Sequence, residues 1–199
     1  VAEGDSITYG TGSSDNLGSY ANRAGINLTS TVGVVNAVAS AVLGTSSDSS
    51  STNSLWGRKS RDLAVIPPNK DGRTFILTIL IGRNDLVGYT GGAAQYAANV
   101  AAYAAAMKAG GFDKVAICTL LPSTGVGFNT ARNSLNAIYT GASWASDNNI
   151  DAIIDLASVS GMGADADASN ASNYGDGTHP TNAGYALLEP AYRAAINAL

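Results

Sequence analysis

The chain has 199 residues, 45% of them hydrophobic and 13% charged, with 11 Lys plus Arg against 15 Asp plus Glu and a formal net charge of -4. That length fits one domain over 1–199, able to bury roughly 70% of the surface its unfolded form exposes, and the composition is that of a compact globular protein rather than a disordered one. Too few cations are present for a basic stripe that would bind nucleic acid, and the longest apolar runs, such as 75–81, fall far short of the roughly 20 residues a membrane helix needs.

Short apolar runs alternate with longer helical patterns, the order expected of an open α/β sheet with helices on both faces. A first strand over 1–3 leads into Gly4-Asp5-Ser6, and a helix over 20–28 follows. A Val-rich strand over 32–38 precedes a Ser, Thr, Asp and Asn loop over 44–54 and a helix over 55–64. The most apolar strand, 74–81, runs out at Gly82-Arg83-Asn84-Asp85. Residues 93–109 are Ala-rich and helical, with Gly110-Gly111 as the stop. A strand over 114–121 carries Cys118, the one cysteine, whose apolar neighbours mark it as a buried structural residue and not a reactive thiol.

A helix over 130–147 and a strand over 152–156 come next. The Gly, Ala, Ser and Asp stretch over 158–175 reads as a second long loop; like 44–54, it has too little apolar area to order itself strongly, and either loop is placed to border a cleft. The last helix, 182–199, has Thr181 as its N-cap and contains Pro190, which should kink or split it. Five parallel strands covered on both faces, in a three-layer α/β/α sandwich, is the expected architecture. Val1-Ala2-Glu3 is a very short lead into the first motif, which leaves room for residues upstream. A single cysteine leaves the redox compartment open, with a secreted or extracytoplasmic location favoured. Two sequons, at Asn27 and Asn170, matter only in a eukaryotic secretory route.

Three short blocks carry chemistry. Gly4-Asp5-Ser6 follows the first strand, at the carboxyl edge where open parallel sheets gather ligands. Gly4 allows a tight exit from the strand, and Asp5 can hold the turn through bonds to backbone amides. Asp176-Gly-Thr-His179 holds the only histidine of the chain. A separation of three lets the carboxylate accept the Nδ1 proton and leaves Nε2 to face a hydroxyl. A serine attacks poorly unless a base takes its proton, so any imidazole-dependent mechanism here passes through His179. Asn84, at the end of the most apolar strand, can donate a side-chain hydrogen bond to a developing oxyanion. Each block alone is an ordinary turn; their conjunction reads as a serine hydrolase.

Together the blocks resemble the SGNH hydrolases, the GDSL-type esterases and lipases, in residue type, order and spacing from Gly4 to the last helix. The resemblance implies a flavodoxin-like sheet and an active site with Ser6 as nucleophile, and Asp176 and His179 as the rest of the triad. It also implies an oxyanion hole from the Ser6 amide and Asn84. The family's further oxyanion amide comes from a glycine in a pattern like Asn-x-x-x-x-Gly; counted from Asn36, that position holds Ala41, and Gly44 lies three residues on. Either Ala41 donates its amide or an insertion moves the role to Gly44.

Tyr9, Trp56 and Tyr89 are further candidates to line a sugar-binding or acyl-binding surface, and Arg83 either contacts substrate or braces a loop. The expectation is an esterase for short-acyl, for example acetylated carbohydrate, small-molecule esters, with no cofactor and no metal: the chain has one His and one Cys, and Asp165 and Asp167 lie in a stretch read as flexible. Acyl transfer through the same acyl-serine, and a carbohydrate-binding module without catalysis, are the alternatives. An α/β-hydrolase elbow is a poor fit, because its nearest echo, Gly141-Ala-Ser143-Trp-Ala145, falls inside a predicted helix.

Overall fold

A computed structural model describes residues 1–14, 18–27, 35, 37–44 and 52–199. Among the described residues four parallel strands, β1 (Ala2–Gly4), β2 (Ile76–Leu80), β3 (Lys114–Cys118) and β4 (Ala152–Ile154), lie side by side in that order. Leu77, Ile79, Val115, Ala116 and Ile117 are all buried, as expected of strands covered on both faces. The expected strand over 32–38 lies largely outside the described residues. Its described ends run beside β1: Val35 bridges Ala2 in parallel, and the Val38 N–H donates to the Gly4 carbonyl at 3.2 Å. The chain therefore leaves β1 toward one neighbour and reaches β2 on the other side, and such a reversal is where ligands bind in open α/β sheets.

The helices are α1 (Ser6–Tyr9), α2 (Tyr20–Asn27), α3 (Leu55–Leu63), α4 (Gly92–Ala109), α5 (Phe128–Tyr139), α6 (Trp144–Asp147) and α7 (Asn182–Asn197). α2 packs on α7, which touches β4, while α3, α4, α5 and α6 pack in succession, with α4 against β3. On α4 the buried residues Tyr96, Val100, Tyr103 and Met107 fall at spacings of four, three and four, one stripe facing the core. Full burial of each such side chain is worth about 1.5–3 kcal/mol. Among the described residues no helix is long and apolar enough to cross a membrane.

Several expectations need correction. The helix predicted over 130–147 begins at Phe128, after Gly127 at φ 75, and stops at Tyr139. Gly141 breaks it, and the short α6 turns back so that Trp144 meets Tyr139 at 4.7 Å. Pro190 does not split α7, which runs unbroken to Asn197. Ala186, whose carbonyl loses its donor to the proline, is exposed to water, so the lost bond is replaced by solvent. Thr181 caps the helix as expected, its hydroxyl accepting from the Gly184 N–H at 3.2 Å.

The stretch over 158–175 is more ordered than its composition suggests. It contains a 3₁₀ turn at Asp165–Ser169 and buries Met162, Ala168 and Tyr174. The Arg132 guanidinium, itself buried, anchors it by donating to the Gly163 carbonyl at 2.9 Å and to Asp165 at 2.6 Å. Of the loop over 44–54, only Gly44 and residues 52–54 are described; Ser54 caps α3 by accepting from the Gly57 N–H. Beneath β1, the Glu3 carboxylate is fully buried and receives Arg58 Nε at 2.8 Å and Nη2 at 2.5 Å.

Candidate active site

Ser6 is the first residue of α1, immediately beyond β1. Asp5 caps the helix, its Oδ1 accepting from the Ile7 N–H at 3.1 Å, and Gly10 at φ 99 ends it. Gly4 has no room for a Cβ, since one would press on the Leu80 carbonyl and the Thr8 side chain. The strand exit and the helix start are thereby fixed within three residues. The second Asp5 oxygen accepts from the Arg83 N–H at 3.3 Å and ties this turn to the end of β2. Asp5 is fully buried, and burial pushes its carboxyl up from 3.8 to about 6 against the opposing pull of the Ile7 and Arg83 amides.

His179 comes from the other end of the chain. Its Nε2 lies 2.8 Å from Ser6 Oγ, and its Nδ1 lies 2.7 Å from Asp176 Oδ2. The other Asp176 oxygen accepts from the amides of Thr178 and His179 at 3.0 and 2.8 Å. Partial burial alone would raise the Asp176 carboxyl, but the imidazole and these two amides outweigh it and hold the group below its ordinary value. A carboxylate so placed keeps the imidazole proton on Nδ1 and the Nε2 lone pair toward the hydroxyl.

Three segments grip the loop that carries this imidazole. The His179 carbonyl accepts from Gly175, and the Thr181 N–H returns to Asn173, which closes the loop on itself. Residues 10–14 cover it: the Tyr185 hydroxyl donates to the Thr11 carbonyl at 2.8 Å and Asn182 bonds Ser14 through backbone and side chain. Gly12 must stay a glycine there, because at φ 93 a Cβ would sit 2.7 Å from the Pro180 carbonyl and 3.1 Å from His179 Cβ. On the far side the Thr124 N–H donates to the Gly177 carbonyl at 2.8 Å, and the Ser123 and Thr178 hydroxyls share a 2.8 Å bond.

Arg83 braces this side. Its guanidinium stacks on the Phe128 ring at 4.8 Å and reaches the Thr178 hydroxyl at 3.4 Å. Asn84, exposed at the same strand end, donates through Nδ2 to the carbonyls of Ala41 at 2.8 Å and Ala39 at 3.2 Å. The Ala41 amide is itself committed, donating to the Val38 carbonyl at 2.9 Å, and the residue is buried; the simple expectation that this N–H stands open to a ligand does not hold. Gly44 sits at φ 69, a conformation that favours glycine.

The aromatic candidates divide. Tyr9 is exposed at 39%, whereas Trp56 packs edge-on to Tyr103 at 5.3 Å and Tyr89 to Tyr96 at 4.8 Å. These two rings pack against buried tyrosines, and neither forms an open platform. Asp165 is the partner of Arg132, and Asp167 accepts from the Ala164 N–H. Sequence reasoning passed over Asp85, whose Oδ2 accepts from the Leu43 N–H at 2.8 Å and whose Oδ1 accepts from the Tyr96 hydroxyl at 2.9 Å. Its place next to Asn84 was the available signal.

Residues 2–187 match the GDSL-like lipase/acylhydrolase family. No curated protein matches the chain in sequence. Among solved structures it is similar to a G-D-S-L family protein from Desulfitobacterium hafniense, at TM-score 0.68 and 22% identity, over 97% of this chain and 96% of that one. It is similar also to a member of the lipolytic G-D-S-L family from Veillonella parvula, at TM-score 0.71 and 14% identity over 100% and 97%. An acetyl xylan esterase from Geobacillus stearothermophilus aligns at TM-score 0.62 and 19% identity over 98% and 92%. At such identities the solved structures establish the shared α/β fold.

Proposed function

The chain belongs to the GDSL-like lipase/acylhydrolase family, and from that premise we propose that it is a serine esterase acting on short-acyl esters, such as acetyl esters of carbohydrates, through an acyl-Ser6 intermediate. The observation that carries the reading is the unbroken line from Ser6 Oγ through His179 to Asp176, with spacings of 2.8 and 2.7 Å.

In this reading the Ser6 hydroxyl passes its proton to His179 Nε2 as Oγ attacks the ester carbonyl. Asp176 orients the imidazole and stabilises the imidazolium without taking the proton. The developing oxyanion is received by the Ser6 N–H, at a helix position that no intrahelical carbonyl reaches, and by Asn84. The amide of Asn84 keeps its 2.8 Å bond to Ala41 and exchanges the longer 3.2 Å bond to Ala39 for the oxyanion. One such donor is worth roughly 10²–10³ in kcat. The imidazolium returns its proton to the leaving alkoxide; a water, deprotonated by the same Nε2, then attacks the acyl-serine, and that proton passes to Ser6 Oγ as the acid leaves.

The test is labelling with an organophosphonate, followed by location of the adduct, alongside hydrolysis of p-nitrophenyl acetate and of acetylated and longer-acyl carbohydrate esters. A single adduct on Ser6, loss of turnover in Ser6→Ala and a preference for acetyl are expected. Equal rates in wild type and Ser6→Ala would refute the serine mechanism. A preference for long acyl chains would refute the substrate assignment alone.

A further inference from the structure

We propose that Asp85 is a positioning residue for this reaction, holding the turn over residues 39–43 against the strand end that carries Asn84; the inference rests on reading the site as a serine esterase. Adjacent residues grip that turn with opposite polarity. Asn84 gives its amide protons to the carbonyls of Ala39 and Ala41, while Asp85 takes the amide proton of Leu43 at 2.8 Å. Neither contact is local: the partners lie about forty positions away in the chain, so these bonds fix where the turn sits and not merely how residues 82–85 bend.

The other Asp85 oxygen is held at 2.9 Å by the hydroxyl of Tyr96, a fully buried ring on α4 that Tyr89 meets edge-on. Asp85 thus spans from α4 to the turn and cannot swing away from Leu43 without leaving the Tyr96 hydroxyl unbonded in the core. Burial raises its carboxyl above the ordinary value, which the Leu43 and Tyr96 donors oppose. The turn in its own right is tied by Ala41 to Val38 and by Val38 to Gly4, which brings it beside the Ser6 turn. Where the turn sits sets where the Asn84 amide sits. A shift of the turn therefore displaces an oxyanion donor without touching Ser6, His179 or Asp176.

The chemistry of the variants follows from donor and acceptor counts. In Asp85→Ala both partners lose their acceptor. In Asp85→Asn the amide oxygen still accepts from Leu43 and the amide nitrogen donates to the Tyr96 oxygen, so the geometry survives without the charge. Tyr96→Phe removes the outer anchor alone.

The experiment compares wild type, the three variants and Ser6→Ala by kcat and KM on p-nitrophenyl acetate and by the affinity for phenylboronic acid, which adds to a serine oxygen as a tetrahedral anion. Asp85→Ala should lower kcat by about 10²-fold with KM changed by no more than about threefold, the pattern of a contact made in the transition state. Boronate affinity should fall by a similar factor, Asp85→Asn should recover to within about tenfold of wild type, and Tyr96→Phe should fall between. A kcat for Asp85→Ala within about threefold of wild type overturns the proposal, as does an unchanged boronate affinity or an Asp85→Asn as slow as the alanine variant. Should Asp85→Ala fail to fold, Asp85→Asn and Tyr96→Phe decide on the same two readouts. A Ser6→Ala protein as active as wild type would instead overturn the esterase reading.

Discussion

Replacing Asp176 by Asn tests the site at its most exposed member. In the wild type one carboxylate oxygen holds the Thr178 and His179 amides and the other faces His179 Nδ1 at 2.7 Å. An asparagine keeps the first pair of bonds through its carbonyl oxygen, so the loop keeps its shape. Its NH₂ then faces Nδ1 and donates to it, which moves the ring proton to Nε2 and points an N–H, not a lone pair, at Ser6 Oγ. The hydroxyl loses its base while every heavy atom stays in place.

The expected cost is about 10⁴-fold in kcat, or about 5.5 kcal/mol of barrier at 1.36 kcal/mol per decade, with little change in KM or in Tm. Asp176→Ala forms the control: it also removes the acceptor of two exposed backbone amides, so it should lose a comparable rate and in addition about 0.5–1.5 kcal/mol of stability. Steady-state kinetics on p-nitrophenyl acetate with parallel thermal melts decide the matter. A kcat for Asp176→Asn within tenfold of wild type would refute the tautomer argument, because the geometry allows no other way for Nε2 to remain a base.

Gly12→Ala should lower kcat at least about tenfold while leaving far-UV circular dichroism intact, since its methyl group presses on Pro180 and His179; wild-type turnover would show that the loop yields. Asp5 carries a folded value of about 6 against 3.8 unfolded, so its protonation stabilises the fold fully below about pH 4, and that contribution, about 3 kcal/mol, is lost as pH rises through about 6. Asp5→Asn cannot titrate and should gain on the wild type across that window in urea denaturation; a difference that stays constant with pH refutes this. Burial pushes the Glu3 carboxyl up to about 8 against the pull of Arg58; Arg58→Ala leaves it with Arg61 at 3.5 Å as a cation partner and should cost about 3–5 kcal/mol at a pH where Glu3 is ionised. Chemical denaturation checks that figure, and a loss under about 1 kcal/mol would mean that Glu3 folds protonated.

The parts of this architecture legible in the sequence are those set by short-range patterning. The apolar runs at 76–80 and 114–118 lie in strands as expected, and the Asp176 to His179 spacing contains its own hydrogen bond. The turn chemistry of Gly4-Asp5-Ser6 was equally local. Misreadings arose where a tertiary contact overrode composition. The Gly and Ala stretch over 158–175 looked loose because its order comes from Arg132, a residue on α5, and from buried Met162 and Tyr174. Trp56 and Tyr89 looked like platform residues because nothing in their neighbours announces Tyr103 and Tyr96 as partners. Ala41 was matched by position alone, and position does not report that its amide is already spent on Val38.

The segment 83–85 explains why the three blocks had to be read together. Its backbone is held by Asp5 beside the nucleophile, the Arg83 side chain reaches the loop of His179, and Asn84 and Asp85 hold the turn over 39–43. Three consecutive residues at the end of the central strand β2 therefore touch every other part of the site. β2, like β3, is paired in register on both sides, with Ile79 opposite Glu3 and opposite Ile117, so the hub rests on an interior strand of the sheet. The hydroxyl and the imidazole come from opposite ends of the chain, and α7, which packs on β4, supplies the Asn182 and Tyr185 contacts that close residues 11–14 over His179. Precision at Ser6 Oγ is consequently a property of the assembled sheet and its last helix, which is why a motif of three residues carries so little meaning until the other two are found with it.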